Sequence, residues 1–270
     1  MSEPVSIVLP TYNRERTIQK AIESVLASTY PHFELIIVDD ASTDHTKEVV
    51  NGIKDKRVRY EMMPENGGAS AARNAGIRLA SYDYIAFEDS DDLWRMDKLE
   101  KQMRLFSKYP EIGFCYHKIS YEIGPEQYFI LPDEKIPKEK KSGNIYEQLL
   151  YDNLVDCPSL IVKKACLEET GVFDDRLPAL EDYDLVLRLA KRFPAGFIDE
   201  VLLDSEYSTT GVSGSPASYL MASCLILGKY KQDYLATDTF NHRLEVILKD
   251  SERTGVRDQI IGFLEKILKG

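Results

Sequence analysis

"FELIIVDDASTDHTKEVVNGIK" (residues 33–54) joins an apolar run to a pair of acids, a polar turn and a helix-forming stretch. A strand covered on both faces reads as a continuous apolar run, so 33–40 is expected to be a buried strand and the stretch from Thr43 a helix. The same pairing recurs on both sides. "VSIVLP" (5–10) ends at Pro10 and is followed by Ile18, Ala21, Ile22, Val25 and Leu26 at helical spacing. "RVRYEMM" (57–63) precedes the glycine-opened helix "GGASAARNAGIRLA" (67–80), and "YDYIAF" (82–87) follows it. Strands alternating with short helices imply right-handed βαβ units and a mostly parallel central sheet flanked by helices, an α/β fold. In such sheets ligands sit beyond the carboxyl ends of the strands. Those ends carry "PTYNR" (10–14), "DDASTD" (39–44) and "EDSDD" (88–92), which should converge on one site.

Beyond residue 100 the alternation weakens. "MDKLEKQMRLFSKY" (96–109) and "LEDYDLVLRLAKRF" (180–193) read as helices, and "IGFCYHKISYEI" (112–123) as a longer strand. "KIPKEKK" (135–141) reads as a solvated loop. After Ser215 the chain turns helical: "YLMASCLIL" (219–227) is followed by a last helix with Val256, Ile260, Ile261, Leu264, Ile267 and Leu268 on one side. The expected division is 1–215 and a helical C-terminal extension, 216–270. That extension has more apolar surface than a solvated tail presents. The stripe packs back on the same domain, supports a homo-oligomer, or docks to a membrane or partner enzyme, the few basic residues on it weighing against a membrane.

Composition narrows the class. The 270 residues are 43% hydrophobic, enough to bury a full core. A net charge of −11 disfavours nucleic acid and broad anionic surfaces as partners. Cys115, Cys157, Cys166 and Cys224 show no CxxC spacing and read as buried thiols of a cytoplasmic protein. No stretch approaches the roughly 18 apolar residues of a membrane span, which leaves room only for peripheral contact with a membrane.

In "YIAFEDSDDLW" (84–94), Glu88, Asp89, Asp91 and Asp92 place four acids within five residues. One acid can cap the next helix, which explains one of them. Clustered carboxylates repel unless a cation intervenes, so Asp89 and Asp91 also suit a hard divalent ion whose shell is completed by substrate phosphate. In "VDDASTD", Asp39 and Asp40 face opposite ways, so one at most enters a crevice, while Ser42, Thr43 and Asp44 compete to cap the following helix. Arg73, behind Gly67 and Gly68, can pair with phosphate or be an ordinary surface arginine.

Taken together, "VSIVLPTYNRERTIQKAIESVLASTYPHFELIIVDDASTDHT", "NGGASAARNAGI" and "YIAFEDSDDLW" resemble the consecutive signatures of glycosyltransferase family 2, the inverting enzymes of the GT-A (nucleotide-diphospho-sugar transferase) fold. The resemblance is dense over 4–105, resumes at "GVFDDRLPALEDYDLVLRLA" (171–190), and is thin over 106–156 and after 215. It implies a nucleotide-binding half over 1–105 and an acceptor-binding half over 106–215. It places the DxD motif on Asp89, Ser90 and Asp91, with Asp91 the principal ligand of Mn²⁺ or Mg²⁺ and Asp89 beside it. The nucleotide pocket falls on Thr11, Tyr12, Arg14, Asp40, which meets the base, and Arg73. The catalytic base of the ED motif falls on Asp182, with Glu181 next to it. The implied reaction moves a hexosyl or N-acetylhexosaminyl group from a nucleotide-sugar donor, a UDP-sugar above all, to a hydroxyl of a glycan, glycolipid or glycoprotein.

Two features depart from the family pattern. Glu88 stands where an apolar residue is usual, either as a group behind the ligands or as an added repulsive charge. "EYSTTGVSGS" (206–215) lacks the basic residue and His often found there, leaving Ser208, Thr209 and Thr210 to bond phosphate without charge. The four histidines are scattered, and none is expected to bind metal, His117 being the nearest to a candidate. Two rival readings are a nucleotide-sugar-binding module without transfer, and a nucleotidyltransferase. Retention of Asp182 argues against the first, and "PTYNR" in place of a glycine-rich loop against the second.

Overall fold

The computed structural model describes residues 3–124, 126–206 and 215–269. All seven residues of β1 (Val5–Thr11) are buried. Because side chains alternate across a strand, Ile7 and Leu9 enter one core and Val8 the other. β2 (Phe33–Asp39) does the same, with Leu35 and Ile37 on one face and Ile36 and Val38 on the other. Two-sided burial is what the continuous apolar runs encode. Around these strands the chain runs α1 (Ile18–Leu26), α2 (Thr46–Gly52), β3 (Val58–Met62), α3 (Gly68–Leu79) and β4 (Tyr84–Phe87). β3, β2, β1 and β4 lie in that order and are parallel. The pairing sets Thr11 beside Asp39 and Val8 beside Phe87, so three carboxyl ends finish at one edge. Backbone bonds close that edge: Asp40 N–H donates to Thr11 O at 2.9 Å and Glu88 N–H to Val8 O at 3.0 Å.

The chain continues through β5 (Leu93–Trp94), α4 (Lys98–Lys108), β6 (Phe114–Gly124), β7 (Gln127–Leu131), α5 (Tyr146–Tyr151), β8 (Ile161–Lys163), α6 (Lys164–Thr170), α7 (Glu181–Ala190) and β9 (Ala195–Glu206). The nine-stranded sheet extends from β4 through β8, β6 and β9 to β5, with β7 on β6. β8 runs antiparallel to both neighbours, while β6 and β9 form a long parallel ladder. Parallel ladders hold most of the paired residues, as the alternation implied.

Four helices close the chain: α8 (Pro216–Lys229), α9 (Lys231–Ala236), α10 (Phe240–Arg253) and α11 (Arg257–Lys269). Ser215 caps α8 by accepting from Ser218 N–H, with Pro216 in the first turn. The apolar stripe read from the sequence packs back on the chain except at Ile261, which stays exposed. Ile260 and Leu264 join Leu220 and Leu227 of α8, Tyr183 and Leu187 of α7, and Val8 and Phe87 of the sheet in one buried cluster. A polar tie accompanies it. Asp184, fully buried, accepts from Arg188 Nε at 3.0 Å, Lys229 Nζ at 2.6 Å and Tyr230 Oη at 2.9 Å, linking α7 to the end of α8. All four cysteines are buried and unpaired.

Helix α3, which carries Arg73, lies directly against β1 at Gly76, where an added Cβ would come within 2.3 Å of Val8 Cγ1. Val8 is β-branched and has little rotamer freedom to withdraw. Gly76→Ala is therefore expected to cost about 1–3 kcal/mol through overpacking, more than the ~1 kcal/mol that alanine returns in helix propensity. Urea titration checks this, with Val8→Ala expected to relieve part of the loss when combined with it.

Candidate active site

Asn13, with φ of 52°, turns back toward the neighbouring loop and stitches two strand ends together. Its N–H donates to Ser42 Oγ at 2.9 Å, and its Oδ1 accepts from Thr43 N–H at 2.8 Å. Arg14 N–H donates to Thr46 Oγ1 at 2.8 Å. None of Ser42, Thr43 and Asp44 is the cap of α2, whose N-cap residue is His45 without a side-chain bond; Asp44 Oδ1 accepts from Thr46 N–H at 2.9 Å in the turn that leads into the helix. Ser42 and Thr43 serve the stitch instead.

The two aspartates at the end of β2 do face different partners, and both are buried. Asp39 is structural, accepting from Ser42 N–H at 2.7 Å and Tyr60 Oη at 2.6 Å. Asp40 points to the start of α3, accepting from Gly67 N–H at 2.7 Å and Gly68 N–H at 2.8 Å. A carboxylate there complements the helix dipole, and Gly68, with φ of 85°, permits the approach. Thr11 is buried with an unpartnered hydroxyl, whereas Tyr12 is exposed.

Arg73 joins parts of the chain that are far apart in sequence. Its Nη2 donates to Asp89 Oδ1 at 2.7 Å and its Nη1 to Glu181 Oε1 at 2.6 Å, with Phe173 beneath the guanidinium. Burial opposes the charge, but the neighbouring anions outweigh it and hold the guanidinium protonated. At the open side Arg14 Nη2 lies 3.4 Å from Asp91 Oδ2, both side chains being over a third exposed. Ser90 between the two aspartates is buried.

Glu88 is a group behind this edge. It is fully buried, and neither carboxyl oxygen has a hydrogen-bond partner. Burial, followed by the charge of Asp92, pushes its pKa well above the usual carboxylate range. Lys98 faces it from α4, lowered to about 8 by burial, with its ammonium 3.7 Å over the Trp94 ring. His117 is buried too. Its Nδ1–H donates to Lys118 O at 2.8 Å, and burial together with Lys98 keeps the ring neutral.

Asp182 occupies the first turn of α7, entered through Leu180 with φ of 58°. Its Oδ2 accepts from Cys157 N–H at 3.1 Å and its Oδ1 from Tyr183 N–H at 2.7 Å. Burial raises its pKa to about 8, helped by the charges of Asp156 and Glu181 and opposed by Arg73. Asp156 and its partner Tyr121, whose hydroxyl donates to Asp156 Oδ2, were not found in the sequence. A single acid within "NLVDCPS" follows no period and opens no long helix, so nothing marked it.

The structure thus gathers Asp89, Arg73, Glu181 and Asp182 at one place, sets Arg14 on Asp91 beside them, and puts Asp40 at the start of the helix that carries Arg73. Residues 207–214, with Ser208, Thr209 and Thr210, lie outside the described residues. Among the described residues no three His, Cys, Asp or Glu side chains gather in metal-ligand geometry. Asp89 and Asp91 still fit a hard cation. Both are partly exposed oxygen donors, and Mg²⁺ or Mn²⁺ takes one or two protein carboxylates and fills its shell from water and phosphate.

A polar edge at the carboxyl ends of parallel strands, facing a helix that opens with paired acids, fits the GT-A fold implied by the sequence resemblance, and the comparisons agree on that fold. A sequence model of Glycosyl transferase family 2 matches residues 6–166. The chain is 32% identical over 234 residues to the Escherichia coli protein WfgD, named a UDP-Glc:alpha-D-GlcNAc-diphosphoundecaprenol beta-1,3-glucosyltransferase, covering 86% of this chain and 88% of that one. It is 34% identical over 218 residues to an uncharacterized glycosyltransferase of Rickettsia felis, covering 80% of this chain but only 34% of that protein. Against related proteins of Rickettsia typhi and Rickettsia prowazekii it spans 63% of their length. Staphylococcus aureus TarS (1–349) in complex with UDP-GlcNAc superposes with a TM-score of 0.69 at 19% identity, over 92% of this chain and 71% of that one. The mannosyltransferase PcManGT of Pyrobaculum calidifontis, solved with GDP-Man and Mn²⁺, gives 0.66 at 18% identity, over 94% and 76%. This chain belongs to glycosyltransferase family 2.

The raised pKa of Asp182 has a consequence for stability. Folded, the group holds its proton to about pH 8; unfolded, it releases it near its ordinary value of 3.8. The folded state therefore binds more protons between those values, and its stability falls as pH rises through that window. Asp182→Asn removes this slope. The ligand-free variant is expected to melt a few degrees above the wild type at pH 9 and by less at pH 5, which thermal denaturation across pH checks.

Proposed function

We propose that the chain transfers a sugar, with inversion and with the help of Mn²⁺ or Mg²⁺, from a nucleotide-sugar donor to a hydroxyl of a glycan or lipid-linked glycan, a UDP-sugar being the favoured donor. The observation that carries this reading is Arg73, held between Asp89 at the end of β4 and Glu181 at the start of α7. It ties a diphosphate-binding edge to a candidate base. WfgD, by its name, uses UDP-Glc and a diphosphoundecaprenol-linked GlcNAc, and TarS was solved with UDP-GlcNAc, which supports the choice of donor and acceptor class.

In this reading residues 1–105 hold the nucleotide, with Asp40, Thr11 and Tyr12 around the base and ribose. Asp91 and Asp89 would hold the divalent ion, which supplies positive charge to the departing diphosphate. Arg14, exposed at the same edge, reaches that charge from the other side. The acceptor oxygen attacks the anomeric carbon as the bond to the diphosphate oxygen breaks, through an oxocarbenium-like state. The acceptor proton passes to Asp182, and the nucleoside diphosphate leaves with the electron pair. Glu181 is committed to the Arg73 ion pair at 2.6 Å, whereas Asp182 accepts only from backbone N–H groups. That difference favours Asp182 as the base. Residues 106–215 would shape the acceptor side, and 216–270 brace α7.

Two measurements test the proposal. Calorimetry should show UDP binding far more tightly with Mn²⁺ than with EDTA, and Asp91→Ala should lose most of that difference; equal affinity under both conditions would remove the metal from the mechanism. Asp182→Asn should retain UDP affinity but slow transfer by about 10²-fold or more, the range for loss of a general base. A folded variant with a near-normal rate would move the base elsewhere. Transfer by the wild type should rise with pH toward about 8 as Asp182 ionises.

A further inference from the structure

Asp156 stands beside the Asp182 end of the site, and among the described residues it has no ion-pair partner. The turn before β8 fixes its position: its backbone oxygen accepts from Ser159 N–H at 3.0 Å and from Ser159 Oγ at 2.7 Å. Its side chain is fixed as well, because the Tyr121 hydroxyl, on β6, donates to Oδ2. The next residue, Cys157, donates its N–H to Asp182 Oδ2 at 3.1 Å, so the two aspartates are joined through a single peptide link. Burial pushes the Asp156 pKa up and the Tyr121 hydroxyl draws it down, with Asp89 and Glu181 adding to the rise and Arg73 opposing it, so all three charges stand within electrostatic reach of it. Tyr121 in turn lies within the field of Asp92 and Asp89.

Asp156 is half-buried as a residue, and among the described residues it forms no ion pair. An acid set beside other acids without a cation is disfavoured, and what offsets that cost is hydroxyl or N–H donors. A carboxylate has lone-pair positions for about four hydrogen bonds, and Tyr121 occupies one. Between a diphosphate at Asp89 and a base at Asp182, the group that must lie there is the sugar in transit.

We propose that Asp156, aimed by Tyr121, accepts a hydrogen bond from a hydroxyl of the donor's sugar ring and so determines which donor sugar is taken. The assignment rests on the sugar-transfer reading above. Asp156 would touch the substrate, and Tyr121 would act through Asp156 as a positioning residue. The role is confined to the sugar. Removing the negative charge near the diphosphate edge should leave a free nucleoside diphosphate bound as well as before, or better.

The test is the ratio of two affinities. UDP-glucose, UDP-galactose, UDP-N-acetylglucosamine and GDP-mannose are each titrated with Mn²⁺ into the full chain, alongside free UDP and GDP. Against the sugar nucleotide that the wild type binds best, Asp156→Asn should lose about 10-fold or more, the weight of one hydrogen bond to a charged group, while affinity for the free nucleotide is kept. Preference among the UDP-sugars should shrink with it. Tyr121→Phe should shift the same ratio in the same direction by less, and it serves if Asp156→Asn does not fold. Loss of free and sugar-bearing nucleotide in equal measure, or an unchanged ratio in both variants, overturns the assignment. A wild type that binds none of these nucleotides overturns the sugar-transfer reading itself.

Discussion

A single buried guanidinium holds the site together. Arg73 reaches Asp89 on one side and Glu181 on the other, 108 residues further along the chain. Taking a charge out of water is costly, and the cost is offset only because both partners are carboxylates at hydrogen-bond distance. That requirement propagates outward. α3 must press on β1 closely enough to carry Arg73 inward, which Gly76 allows, and α7 must begin where Glu181 can meet it. The two halves of the sheet are therefore registered on one another by an ion pair as well as by strand pairing.

Around Arg73 the acids outnumber the cations. Glu88, Asp89, Asp91, Asp92, Asp156, Glu181 and Asp182 crowd one edge, and several of them have pKa values driven upward by burial and mutual repulsion. Such a site is under electrostatic tension, and a cation bound at its open side would relieve it. Glu88 and Lys98 add a second layer of compromise. Burial pushes the pKa of the acid up and that of the amine down, so each gives up charge more readily in a location water does not reach.

The N-terminal half of this arrangement was legible because its strands are long enough to show a pattern. β1 and β2 each run seven residues, and each ends in polar residues that converge once the strands are parallel. Asp182 was legible only by its resemblance to an ED motif, since an acidic first turn is common to many helices. β5 and β8, of two and three residues, are too short to carry a period. Asp156 and Tyr121 were illegible for a related reason. Their meaning lies in a contact across 35 residues, and neither residue type is unusual where it stands. The burial of Glu88 could not be read either, because an acid among acids looks solvated until Lys98 is placed beneath it.

Asp184 stands two residues beyond Asp182 and is neutralised by Arg188 from its own helix and by Lys229 from beyond residue 216. The segment matched by the family stops at residue 166, before α7 begins. The segment that the family model matches and the residues that brace the helix of the proposed base are thus encoded in different stretches. A chimaera that grafted a foreign tail after residue 215 would inherit a buried anion evolved for another partner. To be tolerated, the graft would have to deliver an ammonium and a hydroxyl to the positions of Lys229 and Tyr230. The tail is interchangeable only together with the residue it neutralises.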